Sequence, residues 1–185
     1  PASQNRTLAA TVTAIVRHSG ECWTFTHNLF AEHVETTTYC PGGDGSLRMS
    51  AHTKSQKIGV VSAEANMSCA PPDMIGPVAA PTGRWAPTCT LQTHTPVFTA
   101  NVTQTGTTTV TGPETVNVGG VDVPAWHVQE RRDASGDFSG HWYDDIWFST
   151  VDHTIVQITR DTEMAGPARF TERSSFTLGS LQPRS

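Results

Sequence analysis

The chain has 185 residues, 36% of them hydrophobic and 16% charged, with a formal net charge of −5. That length fits one domain able to bury its own core. With Lys54 and Lys57 as its only lysines, it offers no basic patch for nucleic-acid phosphates or an anionic membrane surface, and no apolar run reaches the ~20 residues that cross a bilayer as a helix.

In chain order, Pro1-Ala2-Ser3-Gln4-Asn5 is a polar opening, read as following a removed signal or a membrane anchor. Leu8 to Val16 alternates with period two, the pattern of a strand with one buried face. After the Ser19-Gly20 turn, Glu21 to Thr26 forms the next strand, with Trp23 and Phe25 on one face. Phe30 to Cys40 continues the alternation to the turn Pro41-Gly42-Gly43-Asp44-Gly45, where glycine reaches positive φ without steric cost. Leu47 to Ala51 is a short strand and Ile58 to Ala65 another. The stretch from Ala70 to Gly83 is rich in Pro and Gly and is expected to be an irregular insertion, with Met74 and Ile75 pinning it to the body.

The series resumes with Trp85–His94, Val97–Thr105, Thr107–Val118 and Val121–Arg132, the last two joined at Gly119-Gly120. Ser139–Ser149, Ile155–Glu163 and Arg169–Leu181 complete it. Roughly eleven short-linked strands predict an all-β antiparallel meander in one domain spanning residues 1–185. One large curved sheet, a half-barrel, is expected, with a β-sandwich as the alternative.

The cysteines are Cys22, Cys40, Cys69 and Cys89, with no Cys-x-x-Cys among them. An even count without metal spacing points to disulfides and an extracytoplasmic compartment. Four cysteines allow three pairings. A hairpin brings Cys22 opposite Cys40, and Cys69–Cys89 closes the Pro-rich loop, so this pairing is expected. Each bridge contributes about 3 kcal/mol in the chain-entropy account.

The densest chemistry is His141-Trp142-Tyr143-Asp144-Asp145-Ile146-Trp147-Phe148. On a strand, His141, Tyr143, Asp145 and Trp147 share one face, and Trp142, Asp144, Ile146 and Phe148 the other. The second face is apolar except for Asp144, which therefore needs an Arg or several donors. A hydrolase reading would use His141, Asp144 and Asp145, and a zinc reading would combine His141, Asp145 and His153. No Gly-x-Ser-x-Gly elbow is present, and neither a resident metal nor a cofactor is expected. The aromatic and apolar residues Trp23, Phe25, Trp126, Trp142, Ile146 and Phe148 are the candidate ligand contacts on a concave face.

The second half carries the cadence Val116-Asn117-Val118-Gly119-Gly120-Val121-Asp122-Val123-Pro124-Ala125-Trp126-His127-Val128, then Gly140-His141-Trp142-Tyr143, Asp144-Asp145-Ile146-Trp147-Phe148-Ser149, Ile155-Val156-Gln157-Ile158 and the terminal Phe176-Thr177-Leu178-Gly179-Ser180-Leu181-Gln182-Pro183. It resembles uncharacterised secreted or membrane-anchored actinobacterial proteins with four cysteines. More distantly it is similar to the LolA/LppX-like envelope lipoproteins. The second resemblance implies a half-barrel over an apolar cavity and carriage of a lipid or apolar small molecule. The leading expectation is thus a non-catalytic, monomeric envelope domain with an apolar ligand. A cell-surface domain binding a protein or glycan is the alternative.

Overall fold

Alternation of buried and exposed side chains runs through nearly every strand of the computed structural model, which describes residues 7, 12–30, 32–43, 46–58, 61–72, 74–77 and 83–182. The strands are β1 (Thr13–Ser19), β2 (Cys22–Phe30), β3 (His33–Pro41), β4 (Ser46–Ile58), β5 (Val61–Ala70), β6 (Met74–Pro77), β7 (Gly83–Trp85), β8 (Thr88–His94), β9 (Thr99–Val118), β10 (Val121–Gly136), β11 (Ser139–Ser149), β12 (Ile155–Ala165) and β13 (Arg169–Thr177). Eleven of them lie side by side in the order β1-β2-β3-β4-β5-β8-β9-β10-β11-β12-β13, all antiparallel. The short β6 pairs with β4, and β7 with β9. The expected half-barrel is therefore the fold. The Leu8–Thr11 part of the first expected strand lies outside the described residues.

The sheet curves until its first wall, β2–β4, faces its last, β11–β13. Tyr39 on β3 meets Phe148 on β11 edge to face at 5.2 Å. Phe25, Leu47, Met49, Met67, Leu91, Val102, Val128, Ile146 and Ile158 join them in one core cluster. Both expected disulfides are formed, Cys22–Cys40 and Cys69–Cys89. Cys69 and Cys89 stand directly opposite each other in the β5–β8 ladder.

Four expected boundaries move. Val97–Thr105 and Thr107–Val118 are one strand, β9, running through Gly106. Gly106 makes no turn: it sits where any Cβ would collide with the Arg131 carbonyl of β10. Trp85–His94 is two strands, interrupted at Ala86-Pro87, where proline has no N–H for the ladder. The Pro-rich segment is not wholly irregular, because β6 pairs with the start of β4. The short strand expected at Leu47–Ala51 extends to Ile58, since its second half pairs with β5.

A register shift in the β9–β10 ladder, where His127 pairs with Gly112 but Val128 with Val110, skips Thr111. One extra residue reverses which side chains face inward. Before it, Val102, Gln104, Thr108 and Val110 are buried on the concave side. After it, Val116 and Val118 turn to the convex side and form a second cluster with Val123, Ala125 and Val156, joined by Trp147 and Leu178. The chain after β13 returns over this cluster, its Leu178 N–H donating to the Val156 carbonyl at 2.9 Å.

Candidate functional site

Period-two geometry puts all six candidate ligand contacts on the concave side. Phe25, Trp142, Ile146 and Phe148 are buried there, while Trp23 and Trp126 are half-buried. Trp23 pairs in register with Tyr39, and Trp126 with Phe148. They pack instead of lining a chamber. The interior retains a void of about 20 Å³, bordered by Trp142 and Ile146 among the six. A void of that size holds one water, whereas ligand pockets begin near ~300 Å³. Around these side chains the concave face is closely packed, whereas a more open cavity of about 270 Å³ lies beside the two disulfides, lined by Cys40, Cys69, Met49 and Met67 among others.

The void also borders charge. Asp144, the anomaly on the apolar face of β11, receives the Arg160 guanidinium in a fork, Nε to Oδ1 at 2.8 Å and Nη2 to Oδ2 at 2.7 Å. Arg160 lies directly opposite on β12. Its Nη1 reaches across the interior to Glu35 on β3 at 2.6 Å and approaches Glu172 on β13 at 3.5 Å. Lys54 on β4 donates to Glu172 at 2.7 Å and lies 3.8 Å from Glu35. His52 stands 3.8 Å from the other Glu35 oxygen. Trp142 forms a wall of the cluster, its ring centroid 4.7 Å from the Arg160 guanidinium carbon and 5.4 Å from the Lys54 Nζ. A second buried pair, Arg132 and Glu130 at 2.8 Å, lies on β10.

Burial dominates the electrostatics of this cluster and opposes every charge. On Glu35 burial would raise the carboxyl, but Arg160, then Lys54 and His52, outweigh it and hold the group well below the usual carboxylate range. Glu172 is likewise held down, by Lys54 and Arg160 against burial. Burial would lower Arg160, yet Asp144, Glu35 and Glu172 raise it well above its ordinary value. The histidines lack such compensation. Burial pushes His27 down to about 4, only partly offset by Glu35. His33 is also pushed to about 4, by burial and then Lys54. His52 is lowered by burial, against the pull of Glu35.

The expected hydrolase trio is not assembled. Asp144 points inward to Arg160, while His141 and Asp145 face outward across the thickness of the sheet. Nor does the zinc trio meet: His153 lies beyond the end of β11, against Trp23 at 5.4 Å between ring centroids. Among the described residues no group of three or more His, Cys, Asp or Glu is placed to hold a metal ion.

Asp145 belongs to an ordered strip on the convex face of β9–β11. His127 lies between two carboxylates, Nδ1 2.8 Å from Glu114 Oε1 and Nε2 2.8 Å from Asp145 Oδ1. Gln129 and Arg131 also donate to Asp145, at 3.0 and 2.6 Å. Trp147 donates its indole N–H to Glu114 at 2.8 Å and stacks on His127 at 4.3 Å, 8° from parallel. Along the same strip Tyr143 has the Arg131 guanidinium 5.7 Å and His141 4.5 Å from its ring centroid. The Trp147 hydrogen bond lowers the Glu114 carboxyl despite its exposure. At Asp145 burial pulls upward, and the bonds from His127, Arg131 and Gln129 prevail and lower it.

The sequence marked His141, Tyr143, Asp145 and Trp147 as one face but gave no sign of Glu114, His127, Gln129 and Arg131. Their alignment depends on the β9 bulge and on strand register. Glu35, Lys54, Arg160 and Glu172 were also missed; Arg160, in phase with Ile158 and Met164, and Glu172, in phase with Phe170 and Phe176, carry the signal that exposed Asp144, whereas Glu35 and Lys54 alternate with the polar His33, Thr37, His52 and Gln56. Comparison of the chain with family models, curated proteins and solved structures gives no match.

Proposed function

We propose that this chain is an extracytoplasmic binding domain that recognises a polar surface ligand, a glycan, through the convex strip of β9–β11. The observation that carries the reading is the strip itself. Glu114, His127, Gln129, Arg131, Asp145 and Trp147 fix one another by hydrogen bonds and stacking. Side chains already held in place lose little entropy on binding. Carboxylate, amide and guanidinium groups beside Tyr143 supply the donors, acceptors and aromatic surface that suit a hydroxyl-rich ligand. The close packing around the inner ion cluster directs attention to this outer face, and the two disulfides accord with an oxidising compartment. Isothermal titration of the 185-residue chain with cello-, chito- and manno-oligosaccharides tests it. Saturable binding that Tyr143→Ala weakens at least about tenfold (about 1.4 kcal/mol), without lowering the thermal midpoint, is expected. Absence of binding across the panel, or binding indifferent to Tyr143→Ala, overturns it.

Carriage of a lipid or apolar small molecule is the second reading. It is supported by the gathering of Trp23, Phe25, Trp126, Trp142, Ile146 and Phe148 on one concave side, and it requires the two walls to separate. Native mass spectrometry of the purified protein, compared before and after organic extraction, is expected to show an adduct lost on extraction. A clean apo mass removes this reading.

A further inference from the structure

Within the half-barrel, the two facing walls meet only through side chains. Among the described residues, the ladder leads from β1 to β13 by way of β9 and β10, and no backbone hydrogen bond joins β2–β4 to β11–β13. Among the contacts that cross the gap are the Glu35–Arg160 and Lys54–Glu172 bridges, the ring contacts Tyr39–Phe148, His52–Trp142 and His27–Phe176, and the Lys54 ammonium over the Trp142 and Phe170 rings. The walls can part without breaking a strand pair.

We propose that this ion cluster is an acid-released latch: protonation of His27, His33 and His52, which pack on it, drives the two walls apart and opens the apolar interior. The inference is independent of the convex-face reading.

The argument is one of charge count in a closed space. Glu35, Asp144 and Glu172 are three carboxylates, and Arg160 and Lys54 are two cations. The cluster therefore carries one surplus negative charge while the histidines are neutral. His27 faces Glu35, His52, Asp144 and Arg160, and lies against Phe25 and Phe176. His33 faces Glu35, Lys54, Arg160 and Glu172. His52 faces Glu35, Lys54, Asp144 and Arg160, with its Nδ1 on the Thr37 hydroxyl at 2.9 Å. Glu130 borders the same void. One proton on the histidines neutralises the surplus. A second and a third are uncompensated cations beside Arg160 and Lys54, in a void with room for a single water. Parting the walls hydrates all of them at once, so release is cooperative. The neutral histidines have values of about 4 for His27 and His33, below an unfolded value near 6.5. Protons thus enter the open form before the closed one as pH falls through that interval, and the neighbouring cations hold the Glu35 and Glu172 carboxyls below the usual carboxylate range.

The test is a titration of the intact, oxidised chain from pH 7.5 to 3.5, followed by the apolar dye ANS, by near-ultraviolet circular dichroism and by far-ultraviolet circular dichroism. The expected result is a reversible rise in ANS fluorescence of about fivefold or more with a midpoint between about pH 4 and 6, loss of near-ultraviolet signal, and a preserved far-ultraviolet β signal. In the His52→Gln and His27→Gln variants, each tested alone, the midpoint is expected to fall by about half a pH unit or more. The triple variant His27→Gln/His33→Gln/His52→Gln is expected to abolish the rise. If that variant does not fold, the single variants decide. Flat ANS fluorescence down to pH 4, far-ultraviolet signal lost together with the ANS rise, or midpoints unchanged in the single variants overturns the latch.

Discussion

Replacing Arg160 by methionine tests whether the interior charges are truly mutual partners. The guanidinium is only 7% exposed and binds Asp144 in a fork and Glu35 at 2.6 Å. Methionine restores the volume and removes the charge. Asp144 then loses both bonds of the fork, and Glu35 retains Lys54 at 3.8 Å as its nearest cation. Removing one partner of a buried pair costs about 3–5 kcal/mol, because the other is left buried and uncompensated. Asp144 loses its charged partner and Glu35 its closer one, so the upper end, about 5 kcal/mol, is expected, a third or more of the total stability of an ordinary domain. Urea unfolding at pH 7.5, followed by tryptophan fluorescence, gives this number directly. The triple variant Arg160→Met/Asp144→Leu/Glu35→Gln is the essential companion. It removes one positive and two negative charges and leaves Lys54 paired with Glu172 at 2.7 Å. It should recover to within about 1–2 kcal/mol of the parent. A single variant losing under about 1 kcal/mol, or a triple variant no better than the single, would refute the reasoning and mean that water, not Arg160, solvates these carboxylates.

Two further outcomes follow from the same geometry. Above pH 6.5 His27 is neutral both folded and unfolded and has no effect on stability; as pH falls, the unfolded chain takes up a proton that the folded one refuses down to about 4. Stability is therefore lost across that window, by about 3 kcal/mol from this residue, and His27→Gln should flatten the dependence of the urea midpoint on pH there. Replacing Cys69 and Cys89 together by serine opens a bridge of sequence separation 20; about 3 kcal/mol is expected, seen as a thermal midpoint lowered by about 6–12 °C, and a shift below about 2 °C would show that the β5–β8 ladder holds this loop unaided.

Much of the sheet was legible because strands write their geometry into sequence locally. Trp23, Phe25, Val34 and Thr36 reveal their faces without reference to anything distant, and the hairpin order that follows brings Cys22 to Cys40 and Cys69 to Cys89. Asp144 was legible for the same reason: a carboxylate in phase with Trp142, Ile146 and Phe148 demands a partner. The partner itself was less visible. Arg160 lies across a single ladder, yet its second partner, Glu35, is separated from it by 125 residues and is reached only because the sheet curves through β9 and β10. Curvature is a property of twist, bulge and packing summed over many strands, and no local pattern encodes which residues it brings together. The convex strip was hidden for a related reason. The Thr111 bulge puts Glu114 on the same face as His127, whereas strict alternation from Val102 and Gln104 would put it inside.

Asp144 and Asp145 show how a strand divides function between neighbours. One peptide bond separates them, but pleating sends Asp144 into the ion cluster and Asp145 into the convex strip. Stability alone is a poor account of the inner group. Five charges buried together contribute no more than a well-packed apolar substitute of the same shape, and often less. What they add is dependence of closure on protonation. An apolar seam between the walls would hold equally at every pH, whereas Glu35, Arg160, Asp144, Lys54 and Glu172, with three histidines against them, hold only in one charge state. Titration of those histidines therefore bears on the closed state of the interior, while binding assays on Tyr143 variants bear on the outer face, and the sheet separates the two experiments as it separates the two aspartates.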